Sequence, residues 1–183
     1  MTEAERKAYR NNYGKRINQT IITGGGKGVL THKYKIPADE VDTIWDDYFK
    51  AMPEIRQLQK EASAVMRNRR YVISLLGRRA RYRDKDYVAV NRLLQCGNAD
   101  IIKLKMVEVD EYLASEGRPL DMLNNCHDAL DFQFNEEHRH VYEECLAILT
   151  RFGPGEALDL KVPIEIDRGE GPNWEIATYG EPK

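Results

Sequence analysis

Leu120-Asp121-Met122-Leu123-Asn124-Asn125-Cys126-His127-Asp128-Ala129-Leu130-Asp131-Phe132-Gln133-Phe134 is the stretch on which the reading of this chain turns. Leu130, Phe132 and Phe134 alternate with polar residues, which is the period of a strand. Leu120–Cys126 reads as the strand before it, and Cys126-His127-Asp128-Ala129 as the tip that joins the two. An Asp at a hairpin tip holds a carboxylate where two strands present it to solvent. That position suits a hard divalent cation, because Mg²⁺ takes one or two carboxylates together with substrate phosphates. Asp is also an ordinary turn former, so the pair His127-Asp128 alone leaves both readings open.

Outward from this hairpin the chain alternates helices with short strands. Downstream, a helix is expected over about 136–152, stopped by Phe152-Gly153-Pro154-Gly155. Val162–Ile166 then reads as a short strand, and Gly169–Lys183 as a turn-rich tail. Within that helix His138 and His140 stand two apart and point in different directions, which fits a surface helix rather than a metal site. Upstream, residues 87–116 carry Val90, Leu93, Leu94, Ile101, Ile102, Leu104, Val107, Val109 and Leu113 at helical spacing, ended by Gly117 and Pro119. Before them, Tyr71–Leu76 reads as a strand, Gly77-Arg78-Arg79 as a turn, and Ala80–Arg83 as a return strand. Pro37 marks a helix start, and Pro53 interrupts the helical pattern, which resumes to about Arg70. At the front, Thr2-Glu3-Ala4-Glu5 is a capping box for a helix that runs to Ile22 and stops at Gly24-Gly25-Gly26. The class is α+β and helix-rich.

On that first helix Lys15, Asn18 and Gln19 share one face, and Thr23 extends the line by one turn. A Lys followed by two amides, on a helix ending in glycines, can hold a triphosphate and its base. A solvated polar face fits the same spacing more simply. The run Gly24-Gly25-Gly26-Lys27-Gly28 is not a phosphate loop, since it follows a helix and Val29 stands where Ser or Thr is required. Arg79, Arg81 and Arg83 alternate onto one face of the return strand, which suits phosphate contacts or a solvated hairpin equally.

The net charge of the 183 residues is −2, but it is unevenly spread. Residues 1–35 hold eight Lys/Arg against two Asp/Glu, and residues 53–92 eleven against four. Residues 106–183 hold six against eighteen. A basic front and an acidic back suit a protein that grips a polyanion on one side only, or simply solvated basic helices. The three cysteines, Cys96, Cys126 and Cys145, lack any paired spacing, which excludes a zinc ribbon or a disulfide scaffold. With no signal-like segment and no apolar run long enough to span a bilayer, the expectation is a cytoplasmic protein with no membrane partner.

Taken in order, these segments resemble the DNA polymerases of family A, over about residues 10–176. Lys15-x-x-Asn18-x-x-x-x-Thr23-Gly24 resembles their motif B. Gly77-Arg78-Arg79 is similar to their Gly-Arg-Arg hairpin, and Asn91-x-x-x-Gln95-x-Gly97-x-Ala99-Asp100-Ile101-Ile102-Lys103 to their Asn-x-x-x-Gln-Gly-Thr-Ala-Ala-Asp-Ile-Ile-Lys helix. His127-Asp128 is similar to motif C, and Gly171-Pro172-Asn173-Trp174 to the close of phage members. The resemblance implies fingers-like helices over 1–70 and a partial palm over 71–183, with the antiparallel hairpin carrying motif C. It implies a nucleotidyltransferase that extends a primer on template DNA with deoxynucleoside triphosphates by two-metal in-line displacement. Asp128 would ligate Mg²⁺, and Lys15 would neutralise the triphosphate and protonate the leaving pyrophosphate. Asn18, Gln19 and Thr23 would meet the nucleotide. Asn91 and Gln95 would meet the minor groove, His127 the primer terminus, and Arg78 and Arg79 the DNA backbone.

The departures from the family pattern are specific. Gln19 stands where an aromatic is usual, Thr23 where Tyr or Phe is, and Ala129 where motif C has Glu. The family's Arg four residues before the motif B Lys is Asn11 here, with Arg10 one position off. The motif A strand, with its second metal-binding Asp, has no counterpart before Lys15. A hairpin without that neighbour leaves a sheet edge uncovered. These features lead to the expectation of a split, phage-type polymerase whose second polypeptide supplies motif A and the thumb. A polymerase remnant that binds DNA without chemistry is the alternative. Single-subunit RNA polymerases share His-Asp but not the Gln95–Lys103 helix or the Gly-Pro-Asn-Trp close.

Overall fold

The computed structural model describes residues 1–81 and 85–180. It divides into two compact units, Met1–Ile101 and Ile102–Lys183, with the boundary falling within one helix.

The first unit opens with α1 (Glu3–Tyr9), whose N-terminus carries the expected capping box. Thr2 Oγ1 accepts from Glu5 N–H, and Glu5 Oε2 accepts from Thr2 N–H. The helix does not run unbroken to Ile22 in α geometry. A π turn over Arg10–Gly14 separates α1 from α2 (Lys15–Ile22). After Gly24, held at φ +85°, a second π turn spans Val29–Lys33. α3 (Ala38–Ala51) follows Pro37, and α4 (Pro53–Arg69) begins on Pro53 itself, where a missing N–H costs nothing. Arg70, at φ +62°, closes α4 in the left-handed conformation.

β1 (Tyr71–Ile73) and β2 (Arg79–Arg81) pair antiparallel, with Val72 opposite Ala80. β1 is shorter than the six residues expected because the chain already turns at Ser74, whose N–H donates to Arg78 O at 2.9 Å. Tyr82 and Arg83, expected to complete β2, lie outside the described residues. Two small cores hold this unit. Leu30, Ile36 and Val41 form one, and Ala62, Met66, Val72, Ala89 and Val90 the other.

α5 (Ala89–Ser115) is the long helix expected, with 27 residues. In the second unit β3 (Asp121–Cys126) and β4 (Ala129–Gln133) form a two-stranded antiparallel sheet with Cys126 opposite Ala129 and a bulge between Met122 and Asn124. α6 (Arg139–Thr150) lies behind it. Val109, Leu113, Leu120, Val141, Tyr142, Cys145 and Ile148 form the core, with Phe132 and Phe134 packed on it. Burial pushes the Cys145 thiol up to about 11, so it is an inert core residue. The amine of Lys105 is buried too. It donates to Glu108 Oε2 (2.6 Å) and to Arg151 O (2.5 Å), and it lies 4.3 Å from the centre of the Phe152 ring.

Two expectations about the tail are corrected. Val162–Ile166 is not a strand, because among the described residues no neighbour pairs with it, and a lone extended segment has no ladder to join. The last residues are not all turns, since α7 (Trp174–Tyr179) forms there, capped by Asn173 Oδ1 accepting from Ile176 N–H at 3.0 Å.

Candidate active site

In the first unit α2 presents Lys15 and Gln19 to solvent on one side. Thr23 continues that line, but its hydroxyl donates to Gln19 O at 2.7 Å and lies 3.3 Å from Thr20 O. Asn18 lies on the same helix with its Oδ1 accepting from Tyr48 Oη at 2.6 Å, so its carbonyl end braces α2 against α3. The end of α2 is fixed from α4, where Gln59 Nε2 donates to Ile21 O at 2.5 Å. Gly24 then passes so near Tyr87 that a Cβ there would sit 2.7 Å from the Tyr87 carbonyl oxygen. Only glycine fits both that approach and its positive φ. Beside it opens a cleft of about 550 Å³, lined by Arg56, Lys60 and Arg67 of α4 and by Tyr87.

The Gly-Arg-Arg segment splits into two jobs. Arg78 Nε donates to Asp100 Oδ1 at 3.0 Å and its Nη2 to Cys96 O at 3.0 Å, so this guanidinium fastens the hairpin to α5. Leu76 N–H also donates to Asp100, at 3.3 Å. Burial alone would raise the Asp100 carboxyl, which is 4% exposed. Hydrogen bonds from Ser74, Leu76 and Arg78 and the charge of Arg78 outweigh it and hold the group below the usual carboxylate range. In the sequence Asp100 is part of the family-like helix motif and carries no local sign of this role. Its partners lie more than twenty residues away, and no local pattern announces them. Arg79, by contrast, is exposed on the outer face of β2, 5.0 Å from the Tyr71 ring centre. On α5 Asn91 and Gln95 share a face one turn apart, Gln95 in solvent and Asn91 half-buried.

In the second unit His127 and Asp128 form the two-residue tip between β3 and β4, both exposed. His127 sits at φ +58°, a conformation that glycine adopts freely and a β-carbon resists. The tip is held from within by Asn125 Nδ2 donating to Ala129 O at 3.2 Å and Asn124 Nδ2 donating to Asp131 Oδ2 at 3.2 Å. Among the described residues no group of three or more His, Cys, Asp or Glu is gathered for a metal ion, so Asp128 stands as one carboxylate. A Mg²⁺ that takes most of its ligands from water and substrate phosphate fits such a lone carboxylate once a second one joins it. No helix among the described residues is long and apolar enough to cross a membrane.

This arrangement is that of part of a polymerase domain. The fold matches the POL domain of Pol1 from M. smegmatis, in complex with DNA primer-template and dNTP, with a TM-score of 0.78 at 24% identity, over 90% of this chain and 30% of that one. The chain belongs to DNA polymerase family A, whose model matches residues 1–176. DNA polymerase I of Rhizobium leguminosarum is 26% identical over 89% of this chain and 17% of its own length. DNA polymerase DpoZ of Salmonella phage PMBT28 is 30% identical over 80% of this chain and 23% of its own. The chain thus spans about a fifth of the length of these curated relatives.

Proposed function

We propose that this chain supplies the nucleotide-binding helix and the motif C carboxylate of a template-directed DNA polymerase, and that a second polypeptide completes the site. One observation carries this reading. The tip of the β3–β4 hairpin holds an exposed Asp128 beside a His127 kept at φ +58°, where glycine would cost less. Backbone cost of this kind persists where the side chain is used. Asp128 would hold Mg²⁺, which when bound supplies charge neutralisation for phosphoryl transfer. Lys15 would offset the charge of the triphosphate and give a proton to the departing pyrophosphate. Gln19 and Thr23 would face the base, and Asn18 would offer its amide nitrogen. Asn91, Gln95, Arg79 and His127 would line the primer–template. Arg78 would act on DNA indirectly, by fixing the hairpin that carries Arg79.

The sheet supports the need for a further strand. β3 and β4 pair only with each other among the described residues, and Leu123 on β3 is 60% exposed. Behind them a cavity of about 750 Å³ is lined by Phe132, Phe134, Tyr142 and Trp174, among others. A strand added to the open edge would satisfy its backbone groups, and it could bring the second carboxylate.

The test is primer extension by the tagged chain recovered with whatever co-purifies from its native source, beside Asp128→Asn. Extension that requires both Asp128 and a second polypeptide is expected. Extension that survives the substitution would sink the reading. A second reading, a DNA-binding remnant without chemistry, draws on the Thr23 hydroxyl and the Asn18 carbonyl being engaged within the fold. It predicts salt-sensitive DNA binding with no extension from any assembly.

A further inference from the structure

The front of the chain carries a feature that the proposed site leaves unused, two exposed aromatic rings set among cations. Tyr9 of α1 and Tyr13 of the π turn stack with ring centres 5.4 Å apart and planes 20° from parallel. The two side chains are in water, with Tyr9 61% and Tyr13 47% exposed. Arg6 lies three residues before Tyr9, and Arg16 three residues after Tyr13, the spacing of neighbours on a helix surface. Arg16 in turn lies 5.7 Å from the centre of the Tyr34 ring, and the Lys33 amine 5.5 Å from the same ring. One stripe therefore reads Arg6, Tyr9, Tyr13, Arg16, Tyr34, Lys33, with cations interleaved among aromatics.

The charge of this stripe is not spent within the fold. Arg6, Arg16 and Lys33 are exposed, and among the described residues no ion pair engages them. The two acids of the first 35 residues, Glu3 and Glu5, both stand in the first turn of α1. There they offset the helix N-terminus, and Glu5 closes the capping box. A pair of rings at i and i+4 steadies a helix modestly, but that use needs neither cations at both ends nor rings left in water. The stripe also stands apart from the candidate nucleotide face, since Arg16 follows Lys15 and is turned about 100° from it.

We propose that this stripe is a separate DNA-binding surface, one that takes an unpaired strand. Bases stack on Tyr9 and Tyr13, and phosphates lie against Arg6, Arg16 and Lys33. Every base has a π face, so such a platform holds single strands irrespective of sequence. A duplex keeps its bases stacked on one another and offers this surface mainly its phosphates. The ten residues from Arg6 to Arg16 cover about 15 Å of helix, and a strand that rises about 3.4 Å per nucleotide lays about four nucleotides along it. The surface uses neither Lys15 nor Asp128, so it stands or falls independently of the proposed active site.

The test is fluorescence anisotropy of a labelled oligo(dT) with the full chain, beside a blunt duplex of the same length, with helicity checked by circular dichroism. Tyr9→Ala with Tyr13→Ala weakens single-strand binding about tenfold or more, the range of one lost base–aromatic stack, and leaves duplex binding unchanged. Tyr9→Phe with Tyr13→Phe keeps the parent's affinity, because the ring and not the hydroxyl meets the base. Arg16→Gln and Lys33→Gln each reduce the slope of log affinity against log salt by about 0.7, the share of one phosphate contact on a single strand. If the alanine pair holds oligo(dT) like the parent, the rings only brace the helix and the proposal is overturned. If the parent holds duplex as tightly as single strand, the stripe is a general cationic patch and the unpaired-strand reading fails. A loss of dATP binding in the alanine pair would mean that the rings act through α2, which also overturns it.

Discussion

The two hairpins of this chain are built from the same plan and held in opposite ways. β1–β2 turns at Ser74–Gly77 and is fastened to α5 through Asp100, which accepts from Leu76 N–H and Arg78 Nε, and Val72 is buried beneath it. β3–β4 turns at His127-Asp128, and its tip is held from within the hairpin, through Asn124–Asp131 and Asn125–Ala129. The difference teaches where each kind of polar residue belongs. A carboxylate that is buried and saturated with donors, like Asp100, has its oxygens spent on structure. A carboxylate on a bare tip, like Asp128, leaves its oxygens open to solvent. Two aspartates of one sequence therefore differ by their surroundings alone, and the proposed use of Asp128 rests on that difference.

Substitutions can break this comparison. The largest expected effect is on Asp128. Asp128→Asn lowers extension by the assembled enzyme by about three orders of magnitude, on the scale of 4 kcal/mol in a barrier, with no shift in the urea midpoint. Asp100→Asn behaves in reverse. It lowers the stability of the first unit by about 2 kcal/mol, because Arg78 and the Leu76 N–H lose an ionised acceptor in a buried place. Denaturant melts followed by the ellipticity of that unit read this, and an unchanged midpoint would remove the scaffold assignment.

Acid titration sharpens the contrast. The folded Asp100 carboxyl sits below its ordinary range, so its contribution to stability is complete above that range. It is lost as pH falls through the ordinary value toward the lowered folded one. Melts between neutral pH and pH 2 should show this loss in the parent, and Asp100→Asn should flatten that part of the profile. The smallest effect is at His127. His127→Gly relieves a left-handed β-carbon worth about 1 kcal/mol but frees the unfolded chain, for a net gain of about 0.5 kcal/mol. Extension should fall nonetheless, and a variant that is both steadier and fully active would leave the φ of His127 without a functional reason.

What the sequence disclosed was local. The capping box at Thr2, the prolines at 37 and 53, the glycines after Ile22 and the alternation Leu130-Phe132-Phe134 are signals written within a few residues, and each marks an element that formed. What it withheld depended on distant partners or on backbone geometry without a residue code. The bond from Arg78 to Asp100 spans 22 positions in the chain, and only folding brings the two together. Val162–Ile166 has the composition of a strand but, among the described residues, no neighbour to pair with. The cap of α7 at Asn173 could have been read from an Asn preceding a short amphipathic run. The π turn could not, since no residue pattern specifies an i→i+5 bond. For the candidate site, the residues of the Lys15 face and of the hairpin tip were visible as motifs.

The buried amine of Lys105 has a use at the bench. Most lysines of this chain stand in water and would react at once with an acylating reagent, whereas this one is sealed under Phe152 and bonded to the Arg151 carbonyl. It can be modified only when the Ile102–Lys183 unit opens, so its labelling rate, followed by peptide mass, is a built-in clock for that opening. Slowing of the clock when a second polypeptide is added would register assembly without any assay of synthesis.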